Sequence, residues 1–185
     1  MEDILQYPND GVKARYTRLG LSIGTANRLK QQLIYQNWLQ EQTVDLGQTR
    51  KVVLRLTQQG RNALRLDTSI PHRGSIVHEY WKRFYAQRFR EQGYQVEFEV
   101  PRKSGRVDVV AKNESEKLAI EIETGKSNFL RNARQNLAAK YDKILIIATD
   151  KSAFRKIERG LAQAGLLIAG RVEIILRDGF KLSVS

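Results

Sequence analysis

Three acidic residues fall inside two hydrophobic segments of strand length. Asp108 lies within residues 105–111 (GRVDVVA), and Glu121 and Glu123 lie within residues 118–123 (LAIEIE). A carboxylate is rare in the middle of an apolar strand, because an unpaired buried charge is costly. Side chains alternate along a strand, so Glu121 and Glu123 share one face. Such oxygen ligands suit a hard divalent cation, Mg²⁺ or Mn²⁺.

The polar segment 112–117 separates the two acidic strands and predicts a hairpin between them. The hairpin brings Asp108 onto the strand next to Glu121 and Glu123. An alternative interpretation is a structural network in which arginines neutralise the acids. Convergence of three acids from one hairpin favours a functional site.

The order of elements around these acids resembles the PD-(D/E)xK nuclease superfamily, which has the restriction-endonuclease-like fold. The pattern is a helix with an acid (residues 75–90, with Glu79), a strand with Asp108, a hairpin, a strand with Glu121, and then a helix and a strand. The resemblance covers about residues 72–170. It implies that Asp108 and Glu121 hold Mg²⁺ or Mn²⁺ and that the backbone carbonyl of Ile122 completes the coordination.

The sequence departs from the nuclease pattern at the lysine of Glu-x-Lys, where it has Glu123. The resemblance implies that Lys126, three residues further on, swings back to supply the positive charge, with Gly125 allowing the turn. Glu123 would then help to hold a second ion. Glu79 has two open interpretations, a fourth acid of the site or an ordinary acid of a first helical turn.

The charge balance indicates a polyanionic partner. The 185 residues have a formal net charge of +12 and a pI of about 10.1, and residues 1–70 as well as the remainder have more Lys and Arg than Asp and Glu. Nucleic acid is the usual partner of such a protein, and a generically basic surface is the alternative. The absence of cysteine excludes disulfides and thiolate metal sites. No segment has the length and apolarity of a signal or membrane span, so we expect a cytoplasmic protein without membrane contact.

The N-terminal third resembles winged helix-turn-helix domains over about residues 8–66. The predicted elements are a helix over 11–20, a helix capped by Ser22 that runs to Gln40, a hairpin of 42–45 with 51–56, and a closing helix in 56–64. An apolar stripe of Ile23, Ala26, Leu29, Leu33 and residues 35–38 is expected on the long helix. The resemblance implies that four residues of the long helix face a DNA groove: Thr25, Asn27, Arg28 and Gln31. It also implies that Arg50 and Lys51 of the wing contact phosphate. Winged helices that dock proteins are the alternative.

The remaining chain predicts an α/β domain with a mixed sheet. We expect a linker over 67–74, then a helix over 75–90 with an aromatic core stripe and a strand over 94–100. After the acidic hairpin we expect a helix over 128–141, strands at 143–149, 166–169 and 172–177, and a helix over 152–164. The polar face of the 128–141 helix would contact DNA through Arg131 and Gln135. Residues 1–68 would form one domain and residues 72–185 the other.

Taken together, the resemblances imply a metal-dependent DNA endonuclease targeted by a winged helix. Two alternatives stay open: a binding protein on a degenerate nuclease fold, and the targeting subunit of a larger recombination or defence machine. We expect a homodimer or a part of a larger nucleoprotein complex.

Overall fold

A computed structural model describes residues 1–66 and 74–177. The chain divides into two compact units, Met1–Tyr80 and Trp81–Ser185, and each is described by itself. The division falls later in the chain than the predicted domain boundaries, and the predicted linker lies outside the described residues except for Gly74. Within the described ranges, no helix is long and apolar enough to cross a membrane.

The first unit consists of small helices and one antiparallel hairpin. Its elements are α1 (Glu2–Gln6), α2 (Val12–Arg18), α3 (Ile23–Tyr35), β1 (Leu39–Asp45), β2 (Arg50–Leu56) and α4 (Gln58–Ala63). The two strands pair from Leu39 with Leu56 to Asp45 with Arg50. The predicted cap is confirmed, since the Ser22 side chain accepts a hydrogen bond from the Thr25 N–H. The predicted helix in 11–20 and the predicted hairpin are also confirmed.

Helix α3 is shorter than the sequence predicted, and its expected apolar stripe is partly wrong. The helix ends at Tyr35 because Asn37 adopts a left-handed conformation with φ of 55°. The N–H of Trp38 then bonds to the carbonyl of Leu33, which closes the helix in a Schellman-like end. Ile23 is 68% exposed and Tyr35 is 92% exposed, so neither belongs to the core.

A close backbone contact explains the glycine of residues 56–60 (LTQQG), which lead from β2 into α4. The hydroxyl of Thr57 accepts from the Gly60 N–H and thereby caps α4. The carbonyl oxygen of Trp38 lies 2.1 Å from the position that a Cβ at residue 60 would occupy. Any side chain at position 60 would therefore clash with the chain that enters β1, and only glycine allows the packing.

The second unit is built on one five-stranded mixed sheet. Its elements are α5 (Ile76–Glu91, which begins before Trp81), β3 (Gln95–Pro101), β4 (Arg106–Lys112), β5 (Lys117–Glu123), α6 (Phe129–Ala138), β6 (Lys143–Ala148), α7 (Lys151–Gln163) and β7 (Val172–Leu176). The strand order is β3-β4-β5-β6-β7; the first three strands are antiparallel neighbours, and β5, β6 and β7 are parallel. The expected α/β class with a mixed sheet is confirmed.

Helices α6 and α7 cover one face of this sheet. Their apolar residues recur at three- and four-residue spacing and pack against residues that alternate along the strands. The cluster includes Phe129 and Ala133 of α6, Ala153, Ile157 and Leu161 of α7, and Ala119, Ile144 and Ile146 of the sheet. Because Glu121 and Glu123 alternate in phase with Ala119, this face is the one that has the two acids.

Two other predictions for the second unit have clear outcomes. The aromatic stripe of α5 is confirmed as core, since Trp81, Tyr85 and Phe89 are buried. The strand predicted at 166–169 is wrong, because the segment has no strand geometry and Leu167 and Ile168 are both exposed. Its apolar residues connect α7 to β7 instead.

Candidate active site

The first acid of the site, Asp108, is fixed by the backbone of the neighbouring strand. The paired residues of β4 and β5 run from Lys112 with Lys117 to Val109 with Ile120. Beyond this last pair, the N–H of Ile122 donates to Oδ2 of Asp108 at 2.8 Å. The carboxylate thus lies against β5 next to Glu121, as the hairpin predicted.

The second acid, Glu121, is buried, and its surroundings disfavour its ionised form. Its side chain is 5% exposed, and its Oε1 accepts from Nη1 of Arg102 and from Nδ2 of Asn136, both at 2.7 Å. Burial and the negative charge of Asp108 raise the pKa of Glu121 to about 7, against the lowering effects of Asn136 and Arg102. The two donors therefore do not offset the cost of ionising Glu121 at this position.

Arg102 is a cation that contacts Glu121, and three groups hold it in place. It follows β3 in a tight turn, where its backbone N–H donates to the carbonyl of Gly105 at 3.1 Å. Its Nη1 also donates to Oδ1 of Asn136 at 2.5 Å, and its Nη2 donates to Oδ1 of Asn132 at 2.7 Å. With a side chain only 6% exposed, Arg102 has little freedom to move.

The third acid, Glu123, has its own hydrogen-bond donors. Nδ2 of Asn132 donates to its Oε1 at 3.2 Å, and the Ser127 hydroxyl donates to its Oε2. The residue is 2% exposed. Asn132 therefore links Arg102 to Glu123, and the arginine network that was the alternative interpretation does exist in part.

The structure does not bring Lys126 to the acids. Gly125 has the positive φ that the predicted turn requires, 74°, yet Lys126 is exposed and forms no hydrogen bond or ion pair with any described residue. The carbonyl of Gly125 accepts instead from Nζ of Lys156 on α7, at 2.5 Å. The role expected of Lys126 remains a prediction.

Glu79 belongs to the first turn of α5 and to the first unit. It is 7% exposed, and its Oε1 lies 3.8 Å from Nδ1 of His78. Its two interpretations, fourth acid or first-turn helix acid, both stay open.

The number of acids that could hold one cation together is limited among the described residues. Among the described residues, no group of three Asp, Glu or His side chains is close enough to hold a metal ion together. Mg²⁺ commonly takes only one or two carboxylates, with water and phosphate as its other ligands. Oε2 of Glu121 accepts no hydrogen bond from the described residues, so it is available as a ligand beside Asp108.

In the first unit, the residues predicted to face DNA have different environments along α3. Arg28 and Gln31 are exposed. Asn27 is also exposed, but its Oδ1 accepts from the Tyr16 hydroxyl at 2.9 Å. Thr25 is half-buried and takes part in the cap with Ser22. Arg28 and Gln31 are therefore the members of this set best placed for a partner.

The two predicted wing residues also differ. Arg50 is exposed at the start of β2. Lys51 is half-buried, and its Nζ lies 3.3 Å from the Tyr80 hydroxyl and 5.3 Å from the centre of that ring. The ammonium group of Lys51 is thus engaged within the first unit, whereas Arg50 is accessible.

On α6, the two residues predicted to contact DNA differ in exposure. Arg131 is exposed and donates to the Ser104 hydroxyl. Gln135 is half-buried. Their contact with DNA stays a prediction.

Sequence reasoning missed Arg102, Asn132 and Asn136. Asn136 occupies the buried stripe of α6 with Phe129 and Ala133, at a position where the helical period expects an apolar residue. A buried amide needs hydrogen-bond partners, so an asparagine at this apolar position was the sign in the sequence that Asn136 contacts other polar groups. Arg102 gave no such signal, since it lies in a polar turn.

The comparisons with known proteins add no identity to this geometry. No protein-family model, curated protein or solved structure matches the chain. The chain is thus defined by its own features, a mixed α/β fold with a buried acidic cluster at the end of two paired strands.

Proposed function

We propose that the chain is a metal-dependent nuclease that hydrolyses phosphodiester bonds in DNA, with a winged helix as its first unit and a PD-(D/E)xK-like domain as its second. The observation that carries the proposal is the pair Asp108 and Glu121 on neighbouring strands. The negative charge of Asp108, together with burial, raises the pKa of Glu121 to about 7. A buried acid whose ionisation is disfavoured by a neighbouring carboxylate is stabilised by a cation, which is typical of a functional site.

The proposed residues have separate tasks. Asp108, Glu121 and the Ile122 carbonyl would hold the cation. A bound Mg²⁺ or Mn²⁺ would supply Lewis acidity at the phosphate and favour deprotonation of the attacking water. Asn136 and Arg102 orient the Glu121 carboxylate, so that little reorganisation is needed when substrate arrives. In the reaction, the oxygen of a water bonds to phosphorus as that water gives up one proton to solvent, the bond to the leaving oxygen breaks, and the leaving oxygen gains a proton from solvent.

The first unit supports DNA as the substrate. The net charge of +12 favours a polyanion, and Arg28, Gln31 and Arg50 present polar or basic groups to solvent. Helix α3 would read base edges through Arg28 and Gln31, while Arg50 would contact phosphate.

The test of catalysis is cleavage of labelled duplex, single-stranded and branched DNA with Mg²⁺ or Mn²⁺. Asp108→Asn should reduce the rate by roughly a thousandfold or more, because it removes a charged ligand of the cation. A matched control is Asp142→Asn, since Oδ2 of Asp142 also accepts from a backbone N–H of β5, that of Lys117, at 2.7 Å. Equal activity in both variants would contradict the assignment.

The test of targeting is fluorescence anisotropy with duplex DNA over a range of salt concentrations. Arg50→Ala should weaken binding to all sequences and reduce the salt dependence, whereas Arg28→Ala should change sequence preference at a cost of about 1–3 kcal/mol. Arg65→Ala is the control, because Arg65 is an exposed arginine outside α3 and the hairpin. A first unit that docks proteins would leave all three variants alike.

One observation favours a second candidate, a DNA-binding protein without cleavage. Arg102, Asn132 and Asn136 already satisfy oxygens of Glu121 and Glu123, and Lys126 lies exposed. Such a protein, alone or as the targeting subunit of a larger machine, would bind DNA and Mn²⁺ in calorimetry and leave every DNA form intact.

A further inference from the structure

We propose that Arg102 binds the phosphate of the nucleic-acid backbone at this site, where the usual motif has a lysine. The inference rests on the proposed function for its class of ligand, a phosphodiester. It assigns a role that the sequence had given to Lys126.

The positive charge of Arg102 lies at Glu121. Arg102 contacts Glu121 directly, with 2.7 Å between Nη1 and Oε1. Lys126 is exposed, and Nζ of Lys156 donates to the carbonyl of Gly125. Glu123, which takes the lysine position in sequence, has its two oxygens bonded to Asn132 and Ser127. Arg102 is therefore a cation already placed against Glu121, one of the two proposed acidic ligands.

Arg102 also has one N–H donor without an acceptor. Nη1 and Nη2 of Arg102 have acceptors, but its Nε is buried and has no hydrogen-bond partner. The side chain as a whole is 6% exposed. A buried N–H without an acceptor costs free energy, so an arriving acceptor at this point gains more than an ordinary hydrogen bond.

Gly105, the residue next to that donor, has no side chain to cover it. A Cβ at Gly105 would lie 3.8 Å from both Nε and Nη2 of Arg102, in ordinary contact, and the φ of 100° at Gly105 disfavours any side chain. The Nε and Nη2 edge of a guanidinium matches two oxygens of a phosphate. The turn thus leaves this edge of Arg102 uncovered by a side chain at position 105.

Arg15 in the first unit provides an internal comparison. Its Nε is also buried without a partner, so an unused Nε alone does not define a phosphate site. Arg15 contacts Asp3 and two backbone carbonyls, far in sequence from any proposed cation ligand. The two arginines therefore form a matched pair for experiment.

The experiment measures binding of thymidylyl-3′,5′-thymidine, which has a single phosphodiester, by ³¹P NMR titration of the full chain in EDTA. Glu121→Gln should bind at least as tightly as the wild type, because it frees Arg102 from an anionic partner. Glu121→Gln with Arg102→Met should bind at least roughly tenfold more weakly than Glu121→Gln alone, the loss expected for a charge-assisted hydrogen bond. The double substitution removes the charges of Glu121 and Arg102 together, which avoids an unpaired buried charge that could unfold the protein. Glu121→Gln with Arg15→Lys is the control and should match Glu121→Gln.

The outcomes separate this inference from the proposed function. If the affinity for the dinucleotide depends on Arg102 but no DNA is cut with Mg²⁺ or Mn²⁺, the inference holds and the proposed nuclease function is wrong. If Glu121→Gln and its Arg102→Met derivative bind equally, Arg102 is not the phosphate ligand, even when the wild type cuts DNA. Absence of binding by the wild type and by Glu121→Gln at millimolar dinucleotide also overturns the inference.

Discussion

Two buried arginine–carboxylate pairs, one in each unit, have opposite electrostatic outcomes. In the first unit, Nη1 of Arg15 lies 2.5 Å from Oδ1 of Asp3, and the pKa of Asp3 is lowered. In the second, Nη1 of Arg102 lies 2.7 Å from Oε1 of Glu121, and the pKa of Glu121 is raised to about 7. The contacts are alike, so the difference lies in their surroundings.

The number of charges on each side explains the difference. Asp3 is shared by two arginines, because Nε of Arg18 lies 2.6 Å from its Oδ2, and a hydrogen bond from Arg18 is the largest cause of the lowered pKa. Glu121 has one arginine, and the largest causes of its raised pKa are burial and then the charge of Asp108. The first pair is a complete structural contact, while the second lacks positive charge, as a cation-binding site would.

The largest expected effect separates the two arginines by stability. Arg15→Met should destabilise the first unit by about 2–4 kcal/mol, because it leaves the backbone carbonyls of Asp3 and Tyr7 without their buried donor, while Arg18 still pairs with the Asp3 side chain. Arg102→Met should destabilise the second unit less, because Glu121 can bind a proton instead. Urea unfolding measures both, since Trp38 belongs to the first unit and Trp81 to the second.

Single-tryptophan variants isolate the two transitions. Trp81→Phe leaves Trp38 as the probe of the first unit, and Trp38→Phe leaves Trp81 as the probe of the second. An Arg102→Met loss as large as that of Arg15→Met would mean that the second pair is also mainly structural.

Metal addition should stabilise the second unit alone. At a Mn²⁺ concentration 100 times its Kd, binding to the folded state adds about 2.7 kcal/mol. The Trp81 transition should shift and the Trp38 transition should not, and Asp108→Asn should abolish the shift. Equal shifts of the two transitions would indicate a general ionic effect instead of a site.

Glu121 should make the metal-free second unit less stable as pH rises. Its pKa is about 7 when folded against 4.5 in its reference state, so the folded state binds the proton more tightly. The stabilisation is complete below pH 4.5 and is lost as pH rises towards and through 7, with a slope of at most about 1.4 kcal/mol per pH unit. Asp108→Asn should flatten this slope, as unfolding series from pH 4 to pH 8 would reveal.

Asp3 should give the opposite and smallest dependence. Its pKa is below 3.8 when folded, so its stabilisation is present above that value and disappears as pH falls through the folded pKa. Asp3→Asn should remove this acid-side loss from the Trp38 transition. Glu2→Gln, an exposed neighbour on α1, should leave the loss in place.

Much of the fold could be predicted because periodicity and caps are local signals. Alternation predicted the strands with Asp108 and Glu121, and Ser22 predicted the start of α3. The end of α3 was missed because Asn37 ends it by a left-handed backbone rather than by glycine. The false strand at 166–169 arose because a short apolar connection has the same composition as a short strand.

The site was predicted only where its chemistry stands out from an apolar background. Acids inside strands are conspicuous, so Asp108, Glu121 and Glu123 could be selected from sequence. Arg102 reaches them from a polar turn, and Asn132 and Asn136 reach them from another helix. Such contacts depend on packing between elements, which single-sequence patterns do not encode.

The hydrogen bond from the Ile122 N–H to Asp108 makes the amide proton of Ile122 a natural spectroscopic reporter of the acid. Engagement of Asp108 by a cation would weaken this acceptor and move the ¹H and ¹⁵N resonances of Ile122. The Lys117 amide, which donates in the same manner to Asp142 at the other end of β5, provides an internal reference. A single backbone spectrum can therefore follow the state of the acidic cluster without any label on its side chains.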